Sequence, residues 1–197
     1  EGKILGAQGV GTDGVDKRID VIATMIGLNG TVQDLTEAEL AYAPPYSSAK
    51  DPVNMAGYVA ENVLSGIAEN ITWHDLPNIE EDYLLVDVRT SREYARDHVE
   101  GAINIPLDEL RDRLDELDRE KLLVLYCQMG LRGYIAQRIL KPKGYRSLNI
   151  TGGYLTHSVL GFDPNAALDR EKSKATPYSC CEDDVEIDPA TQTVREK

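Results

Sequence analysis

Short apolar runs alternate with helix-like segments through the second half of the chain, and this alternation most constrains the fold. The segment "LRGYIAQRIL" at 131–140 has helical character, and "RSLNIT" at 146–151 predicts a strand. The runs "YLLVDV" at 83–88 and "KLLVLYC" at 121–127 are almost continuously apolar. Such runs are typical of strands buried on both faces of a sheet. The pattern predicts an α/β fold with a mostly parallel sheet flanked by helices.

Shorter elements are predicted between these runs. Thr90 and Glu93 have the spacing of a capping box that opens a short helix. "GAINIP" at 101–106 predicts a short strand ended by its proline, and "GGYLTHSVLG" at 152–161 a final helix. "LDELRDRLDEL" at 107–117 has leucines at helical spacing and predicts an amphipathic helix.

The first 70 residues are predicted as a smaller α+β unit. "KILGAQ" at 3–8 reads as a strand, and 15–28 as an amphipathic helix ended by Asn29 and Gly30. A short helix is predicted at 36–40. Asp51 and Pro52 suit the cap and first position of another helix, which we expect to continue to about residue 67.

The domain organisation follows from these patterns. We predict one unit at 1–70, a second at 71–163 and a tail or linker at 164–197, because the last segment is charged and lacks a hydrophobic period. The chain begins with Glu1 and a strand-like run, so we expect it to be a piece of a longer protein.

Composition argues against nucleic acid and membranes as partners. Acidic residues outnumber basic ones by 34 to 21, for a net charge of -13. This field repels phosphate-rich partners, which are bound through Lys and Arg. No apolar run approaches the ~18 residues of a membrane span. Cys127, Cys180 and Cys181 show neither metal-ligand spacing nor a paired framework, which predicts no metal site and a reducing, cytoplasmic setting.

The segment "VLYCQMGLRGY" carries the clearest chemical signal. A strand delivers Cys127 at its carboxyl end, where ligand sites of α/β sheets lie, and a short loop then enters a helix. The amides of such a loop and the helix N-terminus favour an anion, so a thiolate would be stabilised as a nucleophile. Gly130 permits the tight bend, and Arg132 adds a cation. The alternative is a buried structural cysteine.

The neighbouring ionisable residues are assigned structural roles. Asp87 and Arg89 end a strand, and Glu93 caps a helix, although all three could be read as catalytic. His74, His98 and His157 are scattered without metal-ligand spacing, which indicates structural histidines.

Residues 73–163 resemble a rhodanese domain. The motifs that carry the resemblance are "LVDVR" at 85–89, "EY" at 93–94, "HVEGAINIP" at 98–106, "CQMGLR" at 127–132 and "GG" at 152–153. The resemblance implies a sulfurtransferase in which Cys127 carries a persulfide, Arg132 favours anionic donors, and a binding loop holds the persulfide. That loop comprises Gln128, Met129, Gly130 and Leu131.

Two details refine this expectation. Gln128 stands where the family often has Arg, so thiosulfate is expected to be a poorer donor than a low-molecular-weight persulfide. Four residues separate Cys127 from Arg132, whereas the phosphatases that resemble rhodanese have five, so a phosphatase is the weaker alternative. A rhodanese fold that only binds a partner or senses redox state, and a pure assembly role, are the alternatives outside catalysis.

Residues 1–70 resemble the C-terminal dimerisation domain of flavin-dependent pyridine nucleotide-disulfide oxidoreductases, above all coenzyme A-disulfide reductases. The motifs are "GAQGVG" at 6–11, "DKRIDVIATMIGL" at 16–28 and "LAYAPPYSSAKDPVNMAGYVAENVL" at 40–64. The resemblance implies a homodimer, coenzyme A as a thiol partner, and a parent enzyme that uses FAD and NAD(P)H, with neither cofactor expected on this piece alone. Tyr42, and second Tyr46, would lie near the partner subunit's flavin and disulfide. Tyr42 would be catalytic there, since a phenol could hydrogen-bond the substrate or stabilise a developing thiolate. The alternative is that both tyrosines only anchor the proline-rich loop.

Two further sequence features have more than one interpretation. "GVGTDG" at 9–14 matches the dinucleotide-binding spacing, but no second apolar strand follows it, so we interpret its glycines as turn and packing positions. Cys180 and Cys181 could accept sulfur from Cys127, whereas the alternative is a plain linker.

Overall fold

The protein is described by a computed structural model that covers residues 2–45 and 47–160, together with the backbone of two short strands near the C-terminus. Residues Glu1–Phe162 form one compact unit and Asp163–Lys197 a second. The predicted tail, Cys180, Cys181 and Tyr46 lie outside the described residues, apart from β6 (Glu186–Ile187) and β7 (Val194–Arg195), which pair antiparallel. The predicted boundary at residue 70 stays a prediction.

A five-stranded parallel sheet organises the first unit. Its strands are β1 (Asn70–Ile71), β2 (Tyr83–Asp87), β3 (Ile103–Asn104), β4 (Leu122–Tyr126) and β5 (Ser147–Ile150). They lie in the order β1-β5-β4-β2-β3, and every pairing is parallel. This confirms the predicted α/β class with a parallel sheet.

The central strand β4 is buried along its whole length, as its unbroken apolar sequence predicts. Because successive side chains of a strand point to opposite faces, Leu123 and Leu125 join one core cluster while Val124 and Tyr126 join the other. The sheet is therefore covered on both sides. Residue 127 directly follows the carboxyl end of β4 and begins the loop that leads to α5.

Within residues 2–160, six helices surround the sheet or precede it. They are α1 (Val15–Gly27), α2 (Val32–Glu37), α3 (Pro52–Leu64), α4 (Ser91–Arg96), α5 (Leu131–Leu140) and α6 (Gly153–Leu160). The predicted caps are confirmed: Asn29 has a positive φ of 59° after α1, Asp51 accepts a hydrogen bond from the Val53 amide, and Thr90 and Glu93 form their capping box.

Several predictions for the first segment are wrong. "KILGAQ" makes only an isolated bridge between Lys3 and Thr31, so the described part of 2–69 is helical rather than α+β. The short helix lies at 32–37 instead of 36–40 because Thr31 and Asp34 form a capping box ahead of it. Helix α3 ends at Leu64, three residues earlier than predicted, followed by Gly66 with a φ of 69°.

The predicted helix at 107–117 is also wrong. The segment is a series of turns with one 3-10 turn at Leu114–Glu116. The leucine spacing still predicts which side chains are buried, because Leu110 and Leu117 belong to the core. Aspartate disfavours the interior of a helix because its side chain can bond to backbone groups in non-helical conformations, and aspartates stand at 108, 112 and 115.

Candidate active site at the carboxyl end of the central strand

Cys127 lies directly after β4, and its side chain is held inside the loop that leads to α5. The residue is only 2% exposed. The Gly130 amide donates a hydrogen bond to its Sγ over 3.1 Å. Gly130 itself is the cap residue of α5, with a φ of 134° that side-chain-bearing residues rarely adopt. The sulfur therefore faces a backbone donor at the start of a ten-residue helix, where negative charge is favoured.

Helix α6 fixes the back of this loop. The amides of Tyr154 and Leu155 donate to the carbonyls of Cys127 and Gln128 over 2.7 and 3.0 Å. A Cβ on Gly153 would lie 2.3 Å from the Cys127 carbonyl oxygen, so no side chain fits there while the loop keeps its place. The Trp73 indole in turn donates to the Gly153 carbonyl over 2.8 Å. The loop backbone is thus set by contacts with a second helix.

Arg132 is engaged by a carboxylate. Its two terminal nitrogens donate to the two carboxylate oxygens of Glu93 over 2.8 and 2.7 Å. This pairing lowers the pKa of Glu93 to about 2, so the carboxylate stays charged. The same pairing raises the pKa of Arg132, to which the nearby Cys127 side chain adds a smaller contribution. The cation beside the sulfur is therefore largely neutralised by Glu93.

A second ion pair lies buried beneath the loop. Arg89 donates to both carboxylate oxygens of Asp87 over distances between 2.7 and 3.1 Å, and both residues are almost fully buried. The guanidinium also lies 4.0 Å from the centre of the Tyr154 ring and donates to the Gln128 side chain over 3.4 Å. Through the contact with Gln128 the ion pair supports the loop, which favours the structural roles predicted for Asp87 and Arg89.

The structure brings together most of the predicted site residues. Cys127 and Arg132 adjoin each other, and Gln128, Met129, Gly130 and Leu131 form the loop between them. Met129 and Leu131 are exposed. Tyr42, by contrast, lies on a different loop, the one between α2 and α3. Its side chain is 53% exposed. Its predicted catalytic role stays a prediction.

The chain's own residues do not fit a dinucleotide at "GVGTDG". That fingerprint needs a strand before its glycines and a second strand after the helix, and the described residues offer only the Lys3–Thr31 bridge on one side. Gly14 caps α1 with a φ of 62°, and Cβ atoms on Gly9 and Gly11 would each lie 2.9 Å from Val15. These contacts agree with turn and packing positions.

Metal-binding clusters and membrane-spanning helices are both absent from the described part of the chain. Within it, no three side chains of His, Cys, Asp or Glu are grouped so that they could hold a metal ion. No helix there is long and apolar enough to cross a membrane.

The sequence patterns do not reveal the roles of residues whose contacts depend on the fold. Gly153 carries no chemistry of its own, but it lets α6 approach the loop, and "GG" at 152–153 was the only signal for it. Glu93 was assigned to helix capping alone, whereas it also pairs with Arg132.

The sheet-bearing region is similar to a known family. The Rhodanese-like domain family matches residues 72–156. The reduced Bacillus anthracis CoADR-RHD structure superposes with a TM-score of 0.71 at 53% identity, covering 76% of this chain and 27% of that one. A NAD-dependent persulfide reductase from A. fulgidus superposes with a TM-score of 0.62 at 42% identity, covering 73% and 26%.

Curated relatives match a shorter stretch. Coenzyme A disulfide reductase of Staphylococcus epidermidis is 54% identical over 59 residues, which is 30% of this chain and 14% of the reductase. A Staphylococcus aureus protein of the same name is 56% identical over 59 residues. The chain therefore spans well under a third of the length of these relatives.

Proposed function

We propose that this chain, whose residues 72–156 form a rhodanese-like domain, transfers sulfane sulfur through a persulfide on Cys127. The observation that carries the proposal is the hydrogen bond from the Gly130 amide to Sγ at the N-terminus of α5. A donor already aimed at the sulfur stabilises a thiolate before attack and the terminal sulfur after it. A cysteine buried only for packing has no need of a glycine with a φ of 134° beside it.

The transfer of sulfane sulfur needs no separate oxidant or reductant. The Cys127 thiolate attacks the terminal sulfur of a donor R–S–SH, the donor's S–S bond breaks, and R–S⁻ leaves as Cys127–S–SH forms. An acceptor thiolate R′–S⁻ then attacks the terminal sulfur of Cys127, which releases R′–S–SH and regenerates the Cys127 thiolate. The chain's contribution is to orient Sγ and to hold negative charge with the amides of residues 128–131.

The ion pair at Arg132 supports a neutral or monoanionic donor. Glu93 occupies both terminal nitrogens of Arg132, and Gln128 supplies no charge. A dianion such as thiosulfate would meet little net positive charge at the loop. A low-molecular-weight persulfide, which needs no paired cation, suits the site better.

We further propose that the chain is the C-terminal part of a longer FAD- and NAD(P)H-dependent reductase of coenzyme A disulfides or persulfides. The similarity to proteins bearing those names supports this, as does the motif run at 40–64. In that setting residues 1–70 would form the dimerisation domain, with Tyr42 near the partner's flavin. Exposed apolar side chains at Leu5, Val10 and Leu28 suit a homodimer, which sedimentation equilibrium would detect.

Single-turnover kinetics test the sulfurtransferase. Cys127→Ser should abolish sulfur transfer from a persulfide donor to a thiol acceptor while the circular dichroism spectrum is kept. A variant that still transfers sulfur at the original rate would leave only the alternative of a partner-binding or redox-sensing module.

A further inference from the structure

Two amides of the Cys127 loop have no acceptor among the described residues. The backbone N–H groups of Gln128 and Met129 donate to no other group of that part of the chain, whereas the Gly130 amide donates to Sγ over 3.1 Å. Backbone donors of this kind stabilise negative charge when they are held in place before the charge develops. The question is which residues hold them.

The direction of these two amides is set by the carbonyls that precede them. The peptide bonds of the loop are trans, so in each peptide group the N–H points opposite to the C=O. The Cys127 carbonyl accepts from the Tyr154 amide and the Gln128 carbonyl from the Leu155 amide, both at the start of α6. The N–H groups of Gln128 and Met129 therefore point away from α6.

One peptide group connects α6 with the indole of Trp73. The Gly153 carbonyl and the Tyr154 amide belong to the same planar group. The indole Nε1 of Trp73 donates to that carbonyl over 2.8 Å, and the Tyr154 amide donates to the Cys127 carbonyl over 2.7 Å. The next group in the series joins the Cys127 carbonyl to the Gln128 amide. Hydrogen bonds in such a series polarise one another, so each donor strengthens the next.

Trp73 is itself firmly placed. It follows β1, and its side chain is 1% exposed. The amide and the hydroxyl of Thr72 both donate to one carboxylate oxygen of Asp75 over 2.7 Å, which fixes the turn that carries the indole. The indole ring packs against the rings of Tyr126 and His157, with centroid distances of 5.6 and 5.0 Å. The donor at the start of the series is thus held by the core.

We propose that Trp73 is a positioning residue for sulfur transfer. Its indole N–H acts through the Gly153–Tyr154 peptide group and the Cys127 carbonyl, and so aims and polarises the Gln128 amide for negative charge on the Cys127 sulfur. The inference rests on the proposed sulfur transfer and adds to it a residue that acts through two peptide groups.

The experiment removes the indole donor and keeps an aromatic side chain. Trp73→Phe does this. Tyr145→Phe is the matched control, because the buried Tyr145 hydroxyl donates to the Leu114 carbonyl over 2.7 Å and the change removes one hydrogen bond remote from α6. Sulfur uptake from 2-mercaptoethanol persulfide is followed in single turnovers by the mass of the peptide containing Cys127. Varying the donor concentration gives a limiting rate constant and a half-saturating concentration.

We expect Trp73→Phe to lower the limiting rate constant by about tenfold and to leave the half-saturating concentration unchanged, since the loop amides act on charge that develops during transfer. Tyr145→Phe should keep both values close to those of the unmodified chain. A general loss of stability would lower the rate in both variants.

A second measurement needs no change at Trp73. Trp73 is the single tryptophan of the chain, so the protein has one indole N–H resonance. Loading Cys127 with sulfur should shift this resonance, because charge at one end of the series polarises the bond at the other. The resonance should stay in place when Cys127→Ala is incubated with the same donor.

The contrary outcomes separate the two proposals. An unchanged limiting rate constant in Trp73→Phe, an equal loss in both variants, or an indole resonance that loading does not shift would overturn the positioning role while leaving sulfur transfer intact. Failure of Cys127 in the unmodified chain to take sulfur from the donor would instead refute the proposed function, and the positioning role with it.

Discussion

Glu93 and Arg132, 39 positions apart in the sequence, form a two-point ion pair beside Cys127, with N–O distances of 2.8 and 2.7 Å. Glu93 also accepts from the Thr90 amide and hydroxyl, over 3.0 and 2.7 Å. One carboxylate thus caps α4 and neutralises the cation of the candidate site. We therefore expect a change at this residue to affect both donor selectivity and local stability.

Releasing Arg132 should change donor preference. Glu93→Gln keeps an oxygen for the Thr90 cap but removes the charge, so the guanidinium becomes available to an anion. We expect kcat/KM for thiosulfate to rise by about tenfold relative to a short neutral persulfide, in line with one charge-assisted hydrogen bond.

Glu116→Gln is the matched control, because Glu116 makes a similar two-point pair with Arg113 on the surface. A rise in thiosulfate activity in both variants, or in neither, would show that Glu93 does not set the charge of the site.

The same pair predicts a pH dependence of stability. The folded pKa of Glu93 is about 2, below its ordinary value of 4.5, so its contribution is complete above about pH 4.5 and is lost as the pH falls through 2. The difference in unfolding free energy between the unmodified chain and Glu93→Gln should be present at pH 6 and shrink towards pH 2. Urea titrations across this range measure it, and a constant difference would contradict the assignment.

Gly153 should tolerate no side chain. A Cβ there would lie 2.3 Å from the Cys127 carbonyl oxygen and 2.9 Å from the Met129 amide nitrogen. Gly153→Ala should therefore displace the loop and reduce persulfide formation by at least about tenfold, beyond the roughly 1–2 kcal/mol of left-handed backbone strain.

Gly101→Ala isolates that strain, since Gly101 has a φ of +80° and nothing within 4 Å of its Cβ position. Persulfide formation should survive in Gly101→Ala. If the two variants lose activity to the same extent, the close approach of α6 is irrelevant to the site.

The buried pair beneath the loop should be costly to break. Asp87→Ala leaves the Arg89 guanidinium without its charged partner in the core, and we expect a loss of about 3–5 kcal/mol in unfolding free energy. Glu116→Ala removes a partner of Arg113 in a surface ion pair and should cost far less, because water screens that pair. Chemical denaturation compares them, and equal costs would argue against a supporting role for the buried pair.

The sequence predicts local features best. Apolar runs predicted β2 and β4, "RSLNIT" predicted β5, and α5 begins and ends at the predicted residues 131 and 140. The leucines at 107–117 predicted burial correctly and the backbone wrongly, because periodicity reports which side chains face the core and not how the chain turns between them.

The candidate site was predictable only in part for the same reason. Cys127, Gly130 and Arg132 are close in sequence, so their loop could be inferred from "CQMGLR". The pairing of Arg132 with Glu93 and the fit of Gly153 on the loop depend on strand order and helix placement.

The most direct test of the central claim is the intact mass of the protein after incubation with a low-molecular-weight persulfide, measured beside Cys127→Ala. The account predicts a gain of one sulfur, about 32 Da, on the unmodified chain, no gain at this site in the variant, and loss of the added sulfur when a thiol acceptor is supplied. An unchanged mass from a folded protein, or an equal gain in Cys127→Ala that an acceptor also removes, would contradict sulfur transfer through Cys127.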